Sequence, residues 1–322
     1  VVLVDGRNTV FRVAWTHREL THNDEPVGVL YGFMRTLVSV WRRWPDSHVV
    51  IAWESRSKRR LEESQKALDD GVITAEQGVY KANRVHDDHD EVYASVMAQE
   101  ETLKELLSYT LAQQLRVEGF EADDVIGTVA TSCERDGDDV IVFSSDHDFY
   151  QLISERVSVF HPTQGELWDL TTFQEEHGIK PHQWVEVGAL AGDGGDNIHG
   201  VPGVGIKTAL KFIKEHGDLQ RLLDGLETKE KRSKTEQKII DNRLVVRLAF
   251  SLKRIDCDVS GLPVIQSNVP NALVLRKRFE DLGFKSLRSD VSLLSRRARD
   301  VLQFTATSTE RTVPSVVRSA VS

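Results

Sequence analysis

The sequence predicts an α/β fold with a mostly parallel central sheet and a helical region appended to it. Two observations carry this. Short apolar runs alternate with longer amphipathic ones over the first 180 residues, and beyond about residue 180 the texture changes to short helices broken by glycine. The size suits one large domain or two smaller ones: 322 residues, 40% hydrophobic and 28% charged, with no apolar run long enough to span a bilayer.

The opening VVLV (1–4) reads as a buried strand ending at Asp5, and without a basic flank it does not read as a signal peptide. GVLYGFMRTLVSVWRRW (28–44) reads as a helix with Leu30, Phe33, Leu37, Val40 and Trp41 on one face. HVVIAW (48–53) is a second strand. The connection that follows, containing RSKRRLEESQKALDDGVITAEQGVYKANR, is very polar, and compact domains rarely keep so long a connection without a functional reason. Helical spacing returns over 90–113 through Val92, Val96, Leu103, Leu106, Leu107 and Leu111. LRVEGF (115–120) is a weaker strand, followed by a helix over 122–135 that stops near Gly137. DVIVFS (139–144) and RVSVF (156–160) are further strands. The last twenty residues, 303–322, lack any sustained period and read as a flexible tail.

The two cysteines, Cys133 and Cys257, have no metal-ligand spacing and suit a reducing, cytosolic compartment. The net charge of −9 hides a division. Residues 1–200 hold 18 Lys/Arg against 36 Asp/Glu, and residues 201–322 hold 23 against 14. An acidic part joined to a basic part fits a metal enzyme that binds a polyanion, with chance asymmetry as the alternative.

EGFEADDVIG (118–127) crowds Glu121, Asp123 and Asp124 beside core-type Phe120, Val125 and Ile126. Like charges 4 Å apart repel by about 4 kcal/mol per pair at an effective dielectric near 20. Asp5 ends the first strand, Glu54 follows the second, and Asp146 and Asp148 in SSDHDF follow the strand at 139–144. In an open parallel sheet these strand ends share the edge where ligands bind. Asp193 and Asp196, in AGDGGDN, add a fifth segment, their spacing placing both on one helical face or turn. Each acid alone has an ordinary explanation, because a helix dipole favours first-turn acids by about 0.3–1 kcal/mol and Asp is a common turn residue. The coincidence does not. A hard cation such as Mg²⁺ or Mn²⁺ explains it, and two ions about 3.5–4 Å apart suit phosphodiester hydrolysis. No Cys/His cluster points to zinc.

GVPGVGIKTALKFI (200–213) offers Gly203 and Gly205 as points where backbone N–H groups approach a phosphate at a helix start, with Lys207 beside them. A Walker A loop fails by one residue, Ile206 standing between Gly205 and Lys207, so a DNA-backbone hairpin is the better reading. In YKANR (80–84), Tyr80 suits stacking on a base and Lys81 and Arg84 suit phosphates, although such a segment is ordinarily a solvated surface. RSKRR (56–60) is ordinarily a basic loop.

These segments, in this order, resemble the 5′-nuclease family: the flap endonucleases, the phage 5′→3′ exonucleases and the 5′-nuclease domain of bacterial DNA polymerase I. The resemblance runs from VDGRN to about residue 260, and EADD, SSDHDFYQL and GDGGDNIHGVPGVGIKTA are its most specific parts. It implies a PIN-like metal-binding core over 1–180, with a helical arch over about 55–110 that threads or clamps a 5′ single strand. It also implies a DNA-binding region over 181–302 with a helix–three-turn–helix and a bound K⁺. By the resemblance, Asp5, Glu121, Asp123, Asp124 and Asp146 serve one Mg²⁺, which Mn²⁺ can replace. Asp148, Asp193 and Asp196 serve a second, and Lys81 and Arg84 contact the scissile phosphate. Glu54 departs from the Asp usual in the family by one methylene.

The implied activity is metal-dependent cleavage of DNA with a 5′ flap or end, or of an RNA primer in an RNA–DNA hybrid, during replication or repair. The implied setting is a monomer beside a DNA polymerase, in bacterial or phage-infected host cytoplasm and away from membranes. The alternative is a protein of the same fold that binds branched DNA without cutting it. A phosphatase using Asp-x-Asp is discounted, because Arg7 stands at the second Asp position.

Overall fold

The structure, a computed structural model, describes residues 1–83, 91–263, 265–266 and 268–295. In chain order its first half comprises β1 (Val2–Asp5), α1 (Gly6–Thr16), β2 (Thr21–His22), β3 (Glu25–Pro26), α2 (Gly28–Arg43), β4 (Val49–Ala52), α3 (Lys58–Asp69) and α4 (Glu91–Ser108). Then come β5 (Gln113–Leu115), α5 (Ala122–Asp136), β6 (Val140–Phe143), β7 (Val157–His161), β8 (Glu166–Trp168) and α6 (Leu170–His177). The remainder is helical: α7 (Trp184–Ala191), α8 (Ile206–His216), α9 (Leu219–Thr228), α10 (Lys234–Asp241), α11 (Arg243–Lys253), α12 (Ala272–Asp281) and α13 (Val291–Leu294).

The sheet runs β5-β4-β1-β6-β7-β8, parallel except for the edge strand β8. Val2 is in register with both Val49 and Ile141, so β1 is central and the carboxyl ends of β1, β4 and β6 lie side by side. Strand side chains alternate between faces. Leu3, Val50 and Val142 join one core with Val125, Ile126 and Val129 of α5, and this core continues into α7 to α11. Val2, Val4, Val49 and Ile51 join the other, against α1, α2, α4, α12 and α13. Both faces being covered, the central strands are continuous apolar runs, as a parallel sheet requires. The predicted helical face Leu30, Phe33, Leu37, Val40 and Trp41 is buried throughout.

The expected strand over 115–120 is shorter and earlier, Gln113–Leu115, because Gly119 at φ +88° turns the chain and Phe120 N–H closes onto Val117 O. The hairpin β2–β3 and the edge strand β8 were not expected; at two or three residues each they carry no readable period. The polar connection after Glu54, expected to form an arch, begins as α3, whose buried Arg60, Ser64 and Ala67 pack toward α11. Residues 84–90 and the predicted tail over 303–322 lie outside the described residues. No described helix is long and apolar enough to cross a membrane.

Glu186, in the first turn of α7, accepts from the N–H of Leu219, and burial pushes its carboxyl up to about 7. A carboxyl raised on folding favours the folded state in its neutral form, so that contribution is present below about pH 4.3 and lost as pH rises through about 7. Glu186→Gln is therefore expected to melt at a higher temperature than wild type above pH 7, the gap closing toward pH 4. Parallel melting curves across that range would refute this if the difference did not change with pH.

Candidate metal centre

β1 runs directly into α1, so Asp5 is at once the last strand residue and the helix cap. Its Oδ1 accepts from the N–H of Asn8 at 3.0 Å and its Oδ2 from the Ser144 hydroxyl at 2.9 Å. Loss of solvent pushes the Asp5 carboxyl up to about 6 despite both hydrogen bonds. Ser144 also accepts from the N–H of Asp146 at 3.1 Å, which joins the end of β6 to the end of β1. Asp146 in turn accepts from the N–H of Asp148 at 2.8 Å, turning the chain into a single 3₁₀ segment, His147–Leu152. Desolvation first, then Asp148, raises Asp146, which still opens onto solvent.

The acids at the start of α5 are crowded but compensated. Arg60 is 1% exposed and grips Asp124 with two hydrogen bonds, at 2.8 and 2.9 Å. It also donates to Asp123 at 3.0 Å and lies 3.3 Å from Glu121. Its Nε donates to the Leu252 carbonyl at 2.8 Å. Such planar, forked donation is specific to guanidinium. Asp124 also accepts from the N–H of Asp256 at 2.9 Å, and burial pushes it up to about 6. Glu121 takes the Lys81 ammonium at 2.6 Å, and Lys81 reaches Glu54 at 3.0 Å as well. Desolvation and then Asp123 raise the Glu121 carboxyl.

Across the cavity, Asp193 and Asp196 sit in a tight turn closed by an Asp193–Ile198 bridge rather than on a helix. This turn is laced to the segment before residue 84: Lys81 N–H donates to the Asp196 carbonyl, Asn83 to the Gly194 carbonyl, and Asn197 to the carbonyls of Gln77 and Val79. The Tyr80 hydroxyl lies 2.9 Å from Glu121 and 3.2 Å from Asp196.

Asp5, Glu54, Tyr80, Lys81, Glu121, Asp123, Asp146, Asp148 and Asp196 thus line one cavity of about 560 Å³. Two of the expected acids do not line it. Asp124 is 1% exposed and turned onto Arg60, and Asp193 is turned onto the Lys253 ammonium at 2.9 Å. Tyr80 does not offer a base-stacking face. At 5% exposure its ring belongs to the core, and its hydroxyl holds two acids in place. Gly203, Gly205 and Lys207 are exposed elsewhere, at the start of α8, with Gly203 at φ +84° and the space beside Gly205 open. Arg84 lies outside the described residues.

Among the described residues no three His, Cys, Asp or Glu side chains already form a ready metal shell. Arg60, Lys81 and Lys253 hold the carboxylate oxygens instead. The donors facing the cavity from Asp5, Glu54, Glu121, Asp123 and Asp146 are all hard oxygens and fit a hard divalent cation. Burial raises the carboxyls of Asp5, Glu121 and Asp146, as it does for acids taken out of water. Arg60 and Lys253 went unread in the sequence, although each falls on the inward face of its helix. The buried sets are Arg60, Ser64 and Ala67 on α3, and Val246, Ala249, Leu252 and Lys253 on α11.

The family described as "5′-3′ exonuclease, N-terminal resolvase-like domain" matches residues 1–178, and "5′-3′ exonuclease, C-terminal SAM fold" matches residues 179–270. Thermostable DNA polymerase I of Thermus thermophilus is 34% identical over 296 residues, which are 91% of this chain and 33% of the polymerase. DNA polymerase I of Bacillus subtilis is 30% identical over 299 residues, 89% of this chain and 32% of the polymerase. The chain spans about a third of the length of these curated relatives. A zinc-bound T5 5′-exonuclease superposes with a TM-score of 0.63 at 20% identity, covering 92% of this chain and 99% of that one. The catalytic core of Rad2 in complex with DNA substrate gives 0.55 at 17%, covering 92% and 91%. At these identities the structures show a shared fold, while the family matches show kinship. The chain belongs to the 5′-3′ exonuclease family.

Proposed function

We propose that this chain hydrolyses phosphodiesters in DNA that carries a 5′ single-stranded flap or end, using Mg²⁺. The observation that carries the reading is the convergence of acids from five chain segments on one cavity at the carboxyl edge of a parallel sheet. Asp5, Glu54, Glu121, Asp123 and Asp146 would hold the cation, the longer side chain of Glu54 reaching from the end of β4. A divalent cation bound there supplies Lewis acidity and offsets phosphate charge.

The chain's own residues supply the rest. Ser144 and Asn8 fix the Asp5 carboxylate, and Tyr80 fixes Glu121. Lys81, held by Glu54 and Glu121, is positioned to exchange a carboxylate for a phosphate oxygen and to offset charge in the transition state. At the start of α8, the exposed backbone of Gly203 and Gly205 and the lysines Lys207, Lys211 and Lys214 along one face would hold a duplex backbone, with K⁺ as a candidate partner. A monomer acting beside a DNA polymerase on Okazaki-type or repair intermediates, including RNA–DNA hybrids, is the proposed setting.

A 5′-labelled flap duplex incubated with the chain should yield short labelled products with Mg²⁺ and none with EDTA. Product length separates flap cutting from stepwise trimming. Binding without cutting in Mg²⁺ and Mn²⁺ alike would replace this reading with that of a branched-DNA-binding protein.

A further inference from the structure

Lys253 is the last residue of α11 and points inward, its side chain 5% exposed. Its ammonium donates to Asp148 at 2.8 Å and to Asp193 at 2.9 Å. These are two of the three acids expected to hold a second divalent ion, and their facing oxygens are already bridged by a cation that belongs to the chain.

The lysine is built in. A Cβ placed on Gly188 of α7 would lie 2.5 Å from its Cε and 3.0 Å from its Cδ, so the stem lies directly against the bare glycine backbone. Its main chain is braced by Gln151, which donates to the Lys253 carbonyl at 3.1 Å and accepts from the N–H of Ile255 at 3.0 Å. α11 packs directly on α7 along this stretch. Lys81 differs on each count: it stands on a turn at φ +56°, and its side chain is 18% exposed. Lys81 is the more open of the two, while the Lys253 ammonium reaches the edge of the cavity held between Asp148 and Asp193.

A Mg²⁺ ion needs near-octahedral oxygen ligands at about 2.0–2.1 Å. An ammonium within 3 Å of the same two carboxylate oxygens occupies that volume and repels a second cation brought into it. We propose that this chain binds one divalent ion, on the side of Asp5, Glu54, Glu121, Asp123 and Asp146, and that the Lys253 ammonium takes the place of a second ion between Asp148 and Asp193. This rests on the reading of the first acid set as a metal site.

The test is the number of Mn²⁺ ions bound per full-length chain, counted by calorimetric titration and by the loss of the free-Mn²⁺ electron paramagnetic resonance signal. Wild type should bind one and Lys253→Met two, with circular dichroism confirming the fold of the variant. Two ions on wild type would overturn the substitution and leave the metal site standing. One ion on both proteins would also overturn it, by showing that Asp148 and Asp193 hold no ion even when released. No ion on either would remove the metal reading itself. Should Lys253→Met fail to fold, Asp193→Asn decides: its count stays at one if Asp193 serves only the lysine, while a fall from a wild-type count of two overturns the proposal.

Discussion

Asp146→Ala is expected to lower cleavage of a flap duplex by at least about 10²–10³-fold, the loss typical when a group that stabilises transition-state charge is removed. Asp146 stands at the end of β6, next to the end of β1. Through Ser144 it shares a hydrogen-bonded network with Asp5, and it caps the turn that carries Asp148. No other acid can swing into its position, because Asp5 is fixed by two hydrogen bonds and Asp148 is turned toward Lys253. DNA affinity should hardly change, since the exposed glycines and lysines at the start of α8 belong to a different segment. Single-turnover cleavage and a binding titration in Ca²⁺ separate the two effects. Cleavage at the wild-type rate would sink the assignment of this cavity as the metal centre.

Arg60→Met is expected to cost about 3–5 kcal/mol of stability, the range for removing one partner of a buried ion pair. The guanidinium compensates Asp123, Asp124 and Glu121 together, and Asp124 has no access to water. Methionine fills much of the same space, so the loss reports charge rather than volume. Urea unfolding with EDTA should show the whole deficit. Added Mg²⁺ should restore part of it by recharging Glu121 and Asp123 but not Asp124, which does not line the cavity. A deficit below about 1 kcal/mol, the scale of exposed pairs, would mean that the acids tolerate one another without it.

The strands, their order of acids and the main helices were readable because a buried parallel sheet imposes apolar runs and a parallel topology gathers strand ends. Asp5, Glu54, Glu121, Asp123, Asp146 and Asp148 follow from that logic alone. What escaped depends on contacts between distant segments. Arg60 and Lys253 lie in basic-looking stretches, and charged residues are read as surface unless something distant buries them. Here the burying surfaces are α11 for Arg60 and α7 for Lys253. Tyr80 was misread for the same reason, since the turn at 193–198 that covers it lies over a hundred residues away. The weak strand at 115–120 failed locally: Gly119 ends it whatever the flanking pattern suggests.

The apolar core on the α5 side of the sheet crosses the point, near residue 178, where one family match ends and the next begins. Leu3, Val125 and Leu222 belong to the same continuous body of side chains. The two halves are therefore modules in ancestry and not in assembly. Exchanging the helical half for that of a relative would mean re-cutting the seam. Whatever tilts α11 would move Lys253 and with it the hydrogen bonds on Asp148 and Asp193, so the charge of the centre is tied to the packing of the helical half.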